Sequence, residues 1–167
     1  LIACNQPSQQ SPLPRQAFTG FTAWPGHAIG STIADGVDAD GSTIAMFHDD
    51  GRFFEADGKV RKPSEFRLYQ TNTEDGGLTW SFPREIQRSG KVHLCEPGIV
   101  RSPDGRQLAV LLRENARAKN SHIIFSNDEG KTWSAPRELP VTLTGDRHTC
   151  KYAPDGRLVI VFRGRYA

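Results

Sequence analysis

Short apolar runs separated by turn residues make up most of the chain. In its middle, four such segments follow one another at residues 95–101, 107–113, 121–126 and 134–139. Each is rich in β-branched or aliphatic residues and is bounded by Gly, Pro or Asp, a pattern that favours strands over helices. The tight turns between them predict an antiparallel sheet of four consecutive strands.

The same pattern returns with a period of about fifty residues. SPDGRQLAVLLR at 102–113 recurs as APDGRLVIVFR at 153–163, and DADGSTIAMFHDD at 38–50 is a looser copy. The octapeptides TEDGGLTW at 73–80 and SNDEGKTW at 126–133 are 53 residues apart. Four-stranded units at this spacing predict the blades of an all-β propeller. We place the blades at about 24–88, 92–140 and 145–167, the first lengthened by an insertion at 49–63, with residues 1–20 outside the domain at 21–167.

The two octapeptides resemble the Asp-box of sialidases (neuraminidases) and related BNR-repeat propellers. The short Asp suits hydrogen bonds to turn N–H groups, Gly permits positive φ, and Trp packs between sheets. We therefore interpret the box as structural, with too few fixed oxygens for Ca²⁺. Its residues are Thr73, Asp75, Gly77, Thr79, Trp80, Ser126, Asp128, Gly130, Thr132 and Trp133. The resemblance implies a propeller of six blades when complete. About two and a half blades are present here, so we expect an N-terminal fragment of a longer protein, inactive in isolation.

Strand direction indicates where the chemistry lies. The PDG turns and the octapeptides belong to one face, so the start of each first strand and the end of each second strand belong to the other. The polar residues at those positions are His27, Asp49, Asp50, Glu96, Arg113, Asp146, Arg147, His148 and Arg163, with Glu114 and Asn115 beside them. Arginines that converge near a propeller axis suit a carboxylate ligand. Asp49, Asp50 and Glu96 are the candidate catalytic groups, and Arg113, Arg147, His148, Arg163 and His27 the candidate substrate-binding groups.

The sialidase resemblance assigns roles to part of this set. A Glu that opens a first strand, an Arg that closes the next strand and an Arg that opens the following blade correspond to Glu96, Arg113 and Arg147. The first-blade Arg of that family is absent, since GHAIGS stands there with His27. The implied activity is an exo-acting glycoside hydrolase on an acidic glycan, with Asp49 or Asp50 as proton donor.

Several features of the implied mechanism remain open. Glu65 is a weaker candidate for the proton donor. The implied Tyr nucleophile belongs to a late blade, and neither Tyr152 nor Tyr166 matches it clearly. Two alternatives remain beside the hydrolase. One is a uronate-polysaccharide lyase with His148 or His27 as base, and the other is a propeller that binds a glycan or a protein without catalysis. No cofactor and no metal is expected.

Composition narrows the class of partner. The chain of 167 residues carries 21 basic and 19 acidic residues, a net charge of +2, without a basic run. Nucleic acid is therefore not an expected partner. The opening LIAC followed by NQPSQQSPLP resembles a bacterial lipobox and tether, so we expect lipidation at Cys4 and an envelope location, the alternative being a disordered tail. Cys95 and Cys150 either pair or stay as buried thiols.

Overall fold

The computed structural model describes residues 29–33, 42–49 and 66–164. These residues form three antiparallel sheets, and the described part of the chain contains no α-helix. A short 3₁₀ turn at Val141–Leu143 is its one helical segment. The prediction of an all-β chain is confirmed.

Strands follow one another in each sheet in chain order, and every neighbouring pair is antiparallel. The first sheet contains β1 (Ile29–Ile33), β2 (Thr43–Asp49), β3 (Arg67–Thr73) and β4 (Arg84–Arg88). The second contains β5 (Leu94–Arg101), β6 (Leu108–Glu114), β7 (His122–Ser126) and β8 (Arg137–Glu138). The third contains β9 (Gly145–Tyr152) and β10 (Leu158–Gly164). Two four-stranded sheets and one half-sheet are the two and a half propeller blades predicted from the repeat.

The fourth strand of the second sheet is shorter than the predicted segment 134–139. The backbone N–H of Ser134 still donates to the carbonyl of Phe125 at 2.8 Å, so pairing with β7 begins at the expected residue. Pro136 then lacks the N–H that the ladder needs, and regular pairing resumes only at Arg137.

Two apolar layers hold the sheets together. The larger layer lies between the first and second sheets and consists of Ile44, Met46, Leu68, Leu94, Ile99, Leu108, Val110, Leu112 and Ile124. The smaller layer lies between the second and third sheets and contains Val100, Leu111 and Cys150. Strand β6 contributes to both because alternate side chains point to opposite faces. Burial on both faces explains why its sequence, LAVLL, is a continuous apolar run.

The two cysteines beyond the N-terminal segment are free thiols. Cys95 and Cys150 are both buried, and burial raises their pKa values to about 12 and about 11. At neutral pH both thiols are therefore protonated, and Cys150 belongs to the smaller apolar layer.

Each octapeptide forms a turn held by its own aspartate. In the second turn Asp128 accepts hydrogen bonds from the N–H of Thr132 (2.9 Å), the hydroxyl of Thr132 (2.6 Å) and the hydroxyl of Ser126 (2.8 Å). Asp75 accepts the equivalent bonds from Thr79 and Thr73 in the first turn. These hydrogen bonds hold the pKa of each aspartate at about 2.

The second turn also joins the first two sheets. The indole N–H of Trp133 donates to the side-chain carbonyl of Gln70 in β3 at 2.9 Å. Arg84 of β4 donates to the carbonyls of Gly130 (2.5 Å) and Lys131 (3.1 Å). Gly130 has φ +72°, and a Cβ there would lie 3.0–3.1 Å from Gln70 and Ile44. Only glycine allows the turn to approach β3 this closely.

Candidate functional site

The first strand of each sheet contains an irregularity at the same position. In β5 the register shifts between Cys95 and Gly98, and in β9 the partner strand shows the matching shift near Asp146. At these two bulges Glu96 has φ +48° and Arg147 has φ +55°. Left-handed backbone at the first residue of a bulge normally calls for glycine. Here a carboxylate and a guanidinium occupy that position, at equivalent places in two neighbouring sheets.

The second and third sheets meet closely at these bulges. A Cβ added to Gly98 would lie 2.1 Å from the carbonyl oxygen of His148, which no side chain can occupy. Gly98 therefore lets the backbone of β9 approach that of β5. The close approach brings the bulge residues of two sheets within hydrogen-bonding distance of each other.

Glu96 connects all three sheets. Its Oε1 accepts a hydrogen bond from Nη1 of Arg113 in β6 at 2.7 Å, and its Oε2 accepts one from the backbone N–H of Arg147 in β9 at 3.0 Å. Its own N–H donates to Nδ1 of His48 in β2 at 3.3 Å. Both carboxylate oxygens are thus occupied by donors, and the side chain is 8% exposed. This arrangement orients Arg113 and fixes the backbone of Arg147.

Asp146 forms ion pairs with three guanidinium groups. Nε of Arg113 lies 3.0 Å from its Oδ1, as an ion pair without hydrogen-bond alignment. Its Oδ2 accepts hydrogen bonds from Nη2 of Arg117 at 2.9 Å and from both Nε and Nη2 of Arg163. Burial opposes ionisation of this carboxyl, but the hydrogen bond from Arg163 and the positive charges around it hold its pKa below the usual value. Asp146 is therefore an ionised, buried anchor for the arginines.

Glu114 organises the loop between β6 and β7. Its carboxylate accepts hydrogen bonds from the backbone N–H groups of His93, Ala116, Ala118 and Lys119, at 2.9–3.3 Å. Burial of this 4%-exposed side chain opposes ionisation, yet the four N–H donors lower its pKa. The loop that this carboxylate fixes carries Arg117 in left-handed backbone, with φ +58°.

Comparison with known proteins identifies the family of this chain. The model of the BNR repeat-like domain matches residues 40–165, most of the chain. The chain belongs to the BNR repeat-like family. No curated protein matches it. It is similar in structure to a protein of unknown function from Dyadobacter fermentans, with a TM-score of 0.59 and 20% identity over 74% of this chain. It spans 31% of the length of that protein, and a likeness at this identity concerns the fold alone.

Within this BNR fold, Arg147 differs from the other arginines of the site. Arg113, Arg117 and Arg163 are all paired with Asp146. The side chain of Arg147 is exposed, and among the described residues it has no carboxylate partner. Because its backbone is fixed by Glu96, Arg147 presents a positive charge to solvent from a rigid position. It is the arginine best placed to meet an anionic ligand.

His148 is enclosed rather than presented to the site. It is 2% exposed, stacks on Phe162 with 5.2 Å between the ring centroids, and has Nε2 3.0 Å from the carbonyl of Leu143. Burial lowers its pKa. The ring is therefore neutral at pH 7 and held by the segment that precedes β9.

The remaining candidates differ in how far the structure describes them. Asp49 ends β2 next to His48, is 4% exposed and lies opposite Arg67 in the register. His27, Asp50, Glu65, Tyr166 and the lipidation candidate Cys4 lie outside the described residues. Tyr152 lies at the PDG end of β9, the far end of the strand from Asp146.

Arg117 was not among the residues that the sequence pointed to. It lies in a loop without a counterpart in the repeat, so no comparison of equivalent positions in the blades points to it. The signal for Glu114 was present, since it directly follows Arg113 at the end of an apolar strand. Sequence reasoning placed Glu114 beside the site but did not predict that it holds a loop.

Two features are absent from the described residues. These residues contain no group of His, Cys, Asp and Glu side chains arranged to hold a metal ion. Nor do they include a helix with the length and apolar character needed to cross a bilayer.

Proposed function

We propose that the protein is a sialidase-like, exo-acting glycoside hydrolase that acts on an acidic glycan. One observation carries this proposal: Glu96 and Arg147 occupy matched left-handed bulges and meet Arg113 and Asp146 at one end of the sheets. Structural turns occupy the other end. A charged set held in strained backbone at one face is typical of a functional site.

The contacts suggest a division of roles among the arginines. Arg113 is held between Glu96 and Asp146 and is 18% exposed, so its charge is already balanced. We propose that Arg113 positions the neighbouring groups and contributes positive electrostatic potential to the site. Arg147 is the arginine that contacts the substrate carboxylate, since its charge faces solvent from a fixed backbone. Arg163 is 69% exposed and paired with Asp146, at the rim of the same site.

For the proton donor we propose Asp49 or its neighbour Asp50. Asp49 is buried at the end of β2, beside the histidine that contacts Glu96. A carboxyl group near the scissile bond is the usual proton donor to the leaving-group oxygen in glycoside hydrolases. The sialidase resemblance implies retention through a tyrosine nucleophile. Tyr152 is not that group, because it lies at the opposite end of its strand.

A pair of substitutions tests the role of Arg147. In Arg147→Gln of the full-length protein we expect kcat/KM on a chromogenic α-sialoside to fall about 10- to 100-fold, the value of one charge-assisted hydrogen bond. Arg106→Gln is the matched control, since Arg106 is an exposed arginine on the opposite face, paired with Asp104. Equal rates in all three proteins would refute the role of Arg147.

The same assay separates the alternatives. A hydrolase releases free sugar, whereas a lyase creates the ultraviolet absorbance of an unsaturated uronate. The enclosed, neutral ring of His148 gives the lyase no support from that residue. Glycan-array binding without either product would replace the enzyme proposal with a binding propeller.

For location, we propose lipid attachment at Cys4 and residence in the bacterial cell envelope. The support is the LIAC sequence and the Pro, Ser and Gln tether that follows it. Metabolic labelling with a fatty-acid analogue is expected to mark the protein and to fail in Cys4→Ser. Labelling that persists in this variant would refute the proposal.

A further inference from the structure

A cleft lies beside Asp146, between the β6–β7 loop and the start of β9. Its walls include Glu114, Arg117, Lys119, Ser121, Thr144 and Asp146, and the space that they enclose has a volume of about 10 Å³. This is room for about one water molecule. A larger ligand therefore lies at the opening of the cleft and can insert only a small group.

The charges of this cleft are not equally available to a ligand. Its two carboxylates are buried, since Glu114 is 4% and Asp146 is 5% exposed, and each accepts several hydrogen bonds. Its two cations face solvent: the side chain of Arg117 is 43% exposed, and Lys119 is exposed. A ligand that enters from solvent meets positive charge first. The opening of the cleft thus favours anions.

The cationic wall is also fixed in place. The carboxylate of Glu114 accepts hydrogen bonds from the backbone N–H groups of Ala116 and Ala118, the two neighbours of Arg117. It also accepts one from the backbone N–H of Lys119, the second cation. Arg117 is further restrained by its hydrogen bond to Asp146 at 2.9 Å. A loop that is already ordered loses little conformational entropy when it binds a ligand.

We propose that the opening of this cleft is a second anion-binding position, where Arg117 and Lys119 contact a carboxylate or sulfate substituent of the glycan. It is distinct from the position at Arg147. The identity of the anion's carrier rests on the proposed function, whereas the binding of the anion itself does not. In this arrangement the β6–β7 loop binds a negatively charged substituent on the sugar next to the one that is cleaved.

The test is a titration with inorganic sulfate, and separately with acetate, followed by ¹⁵N NMR at constant ionic strength. We expect saturable shifts of the backbone amides of residues 115–120 and 144–146. In Lys119→Gln and in Arg117→Gln we expect the apparent Kd to rise about two- to fivefold, the value of an exposed charge contact. Stronger binding of sulfate than of acetate would favour a sulfate substituent, and the reverse would favour a carboxylate substituent.

Lys131→Gln is the matched control, because Lys131 is an exposed lysine of an Asp-box turn on the opposite face. Shifts that bypass residues 115–120, or a Kd that is unchanged in both cleft variants, would overturn the inference. The proposed hydrolase and this cleft fail separately. Sulfate binding without sialoside hydrolysis would refute the proposed hydrolase and support the anion site. Hydrolysis without sulfate binding would refute the anion site and support the hydrolase.

Discussion

The two Asp-box turns, 73–80 and 126–133, share their internal hydrogen bonds but differ in what they contact outside. Trp133 donates its indole N–H to Gln70 of the neighbouring sheet, whereas Trp80 donates to Gly77 of its own turn at 3.2 Å. Gly130 lies against Gln70 and Ile44, while a Cβ at Gly77 would meet only Trp80. The motif therefore builds the turn, and among the described residues only the second turn has a preceding sheet to contact.

The strand that follows each turn shows the same contrast. Arg84 and Arg137 stand 53 residues apart, each after a proline. Arg84 donates to the backbone carbonyls of the second turn, but Arg137 lies over the ring of Phe125 in its own sheet, 5.5 Å from the centroid. The third sheet, as described, has two strands and no equivalent turn, so Arg137 contacts only its own sheet.

The largest difference is expected between the two tryptophans. Trp133 packs against the apolar layer between the first two sheets, so Trp133→Ala should lower the free energy of unfolding by about 3 kcal/mol. Trp80→Ala, which removes a side chain held by its own turn, should cost about 1 kcal/mol. Urea unfolding of the two variants measures both values. Equal losses would mean that the contact with Gln70 contributes no stability.

A smaller difference is expected between the two glycines. Ala at position 130 must adopt φ +72° and also displace Gln70 or Ile44, so Gly130→Ala should cost about 2 kcal/mol. Gly77→Ala meets only the backbone strain of φ +93° and should cost about 1 kcal/mol. Thermal unfolding compares them. A costlier Gly77→Ala would show that strain within the turn outweighs the contact between sheets.

The arginine pair should differ less. Arg84→Ala removes two hydrogen bonds to the second turn and should cost about 1 kcal/mol. Arg137→Ala removes an exposed contact with Phe125 and should stay within about 0.5 kcal/mol of the wild type. Denaturant midpoints at fixed salt give both values, and a larger effect at Arg137 would contradict the assignment of Arg84 to the junction between sheets.

The two Asp-box aspartates, Asp75 and Asp128, should contribute equally to stability. Each pKa is lowered from 3.8 to about 2, so each ionised carboxylate stabilises the fold fully above about pH 4 and loses this effect as pH falls through about 2. Asp75→Asn and Asp128→Asn should therefore lower the melting temperature equally at neutral pH, and both differences from wild type should shrink in acid. Melting curves between pH 6 and pH 2 test this. A pH-independent difference at either site would refute the role of the charge.

The fold was predictable because its signals are local and repeated. Turn residues and alternating apolar runs identified the strands, and the spacing of the octapeptides identified the blade. The predicted length of the fourth strand in the second sheet was wrong because Pro136 interrupts the pairing of this short edge strand. The close approach of sheets at Gly98 depends on tertiary geometry that a single sequence does not display.

The candidate site was predictable only as a set of positions. Strand direction placed Glu96, Arg113, Asp146 and Arg163 at one end of the sheets, and the structure shows contacts among these side chains. Their pairing was not predictable, because charge counts do not say which arginine is left without a carboxylate. That distinction now separates Arg147 from the others. The catalytic assignments of Asp49, Asp50 and Glu96 stay predictions.

The left-handed bulges at Glu96 and Arg147 have a consequence for protein engineering. Left-handed backbone at a residue other than glycine carries a strain of about 1–2 kcal/mol, so glycine at either position relaxes the main chain. Gly30 already stands at the corresponding register position of β1. A thermostability programme that averages the repeats would therefore select glycine at both positions. It would relax the main chain but remove the carboxylate of Glu96, which ties the sheets together, and the exposed guanidinium of Arg147.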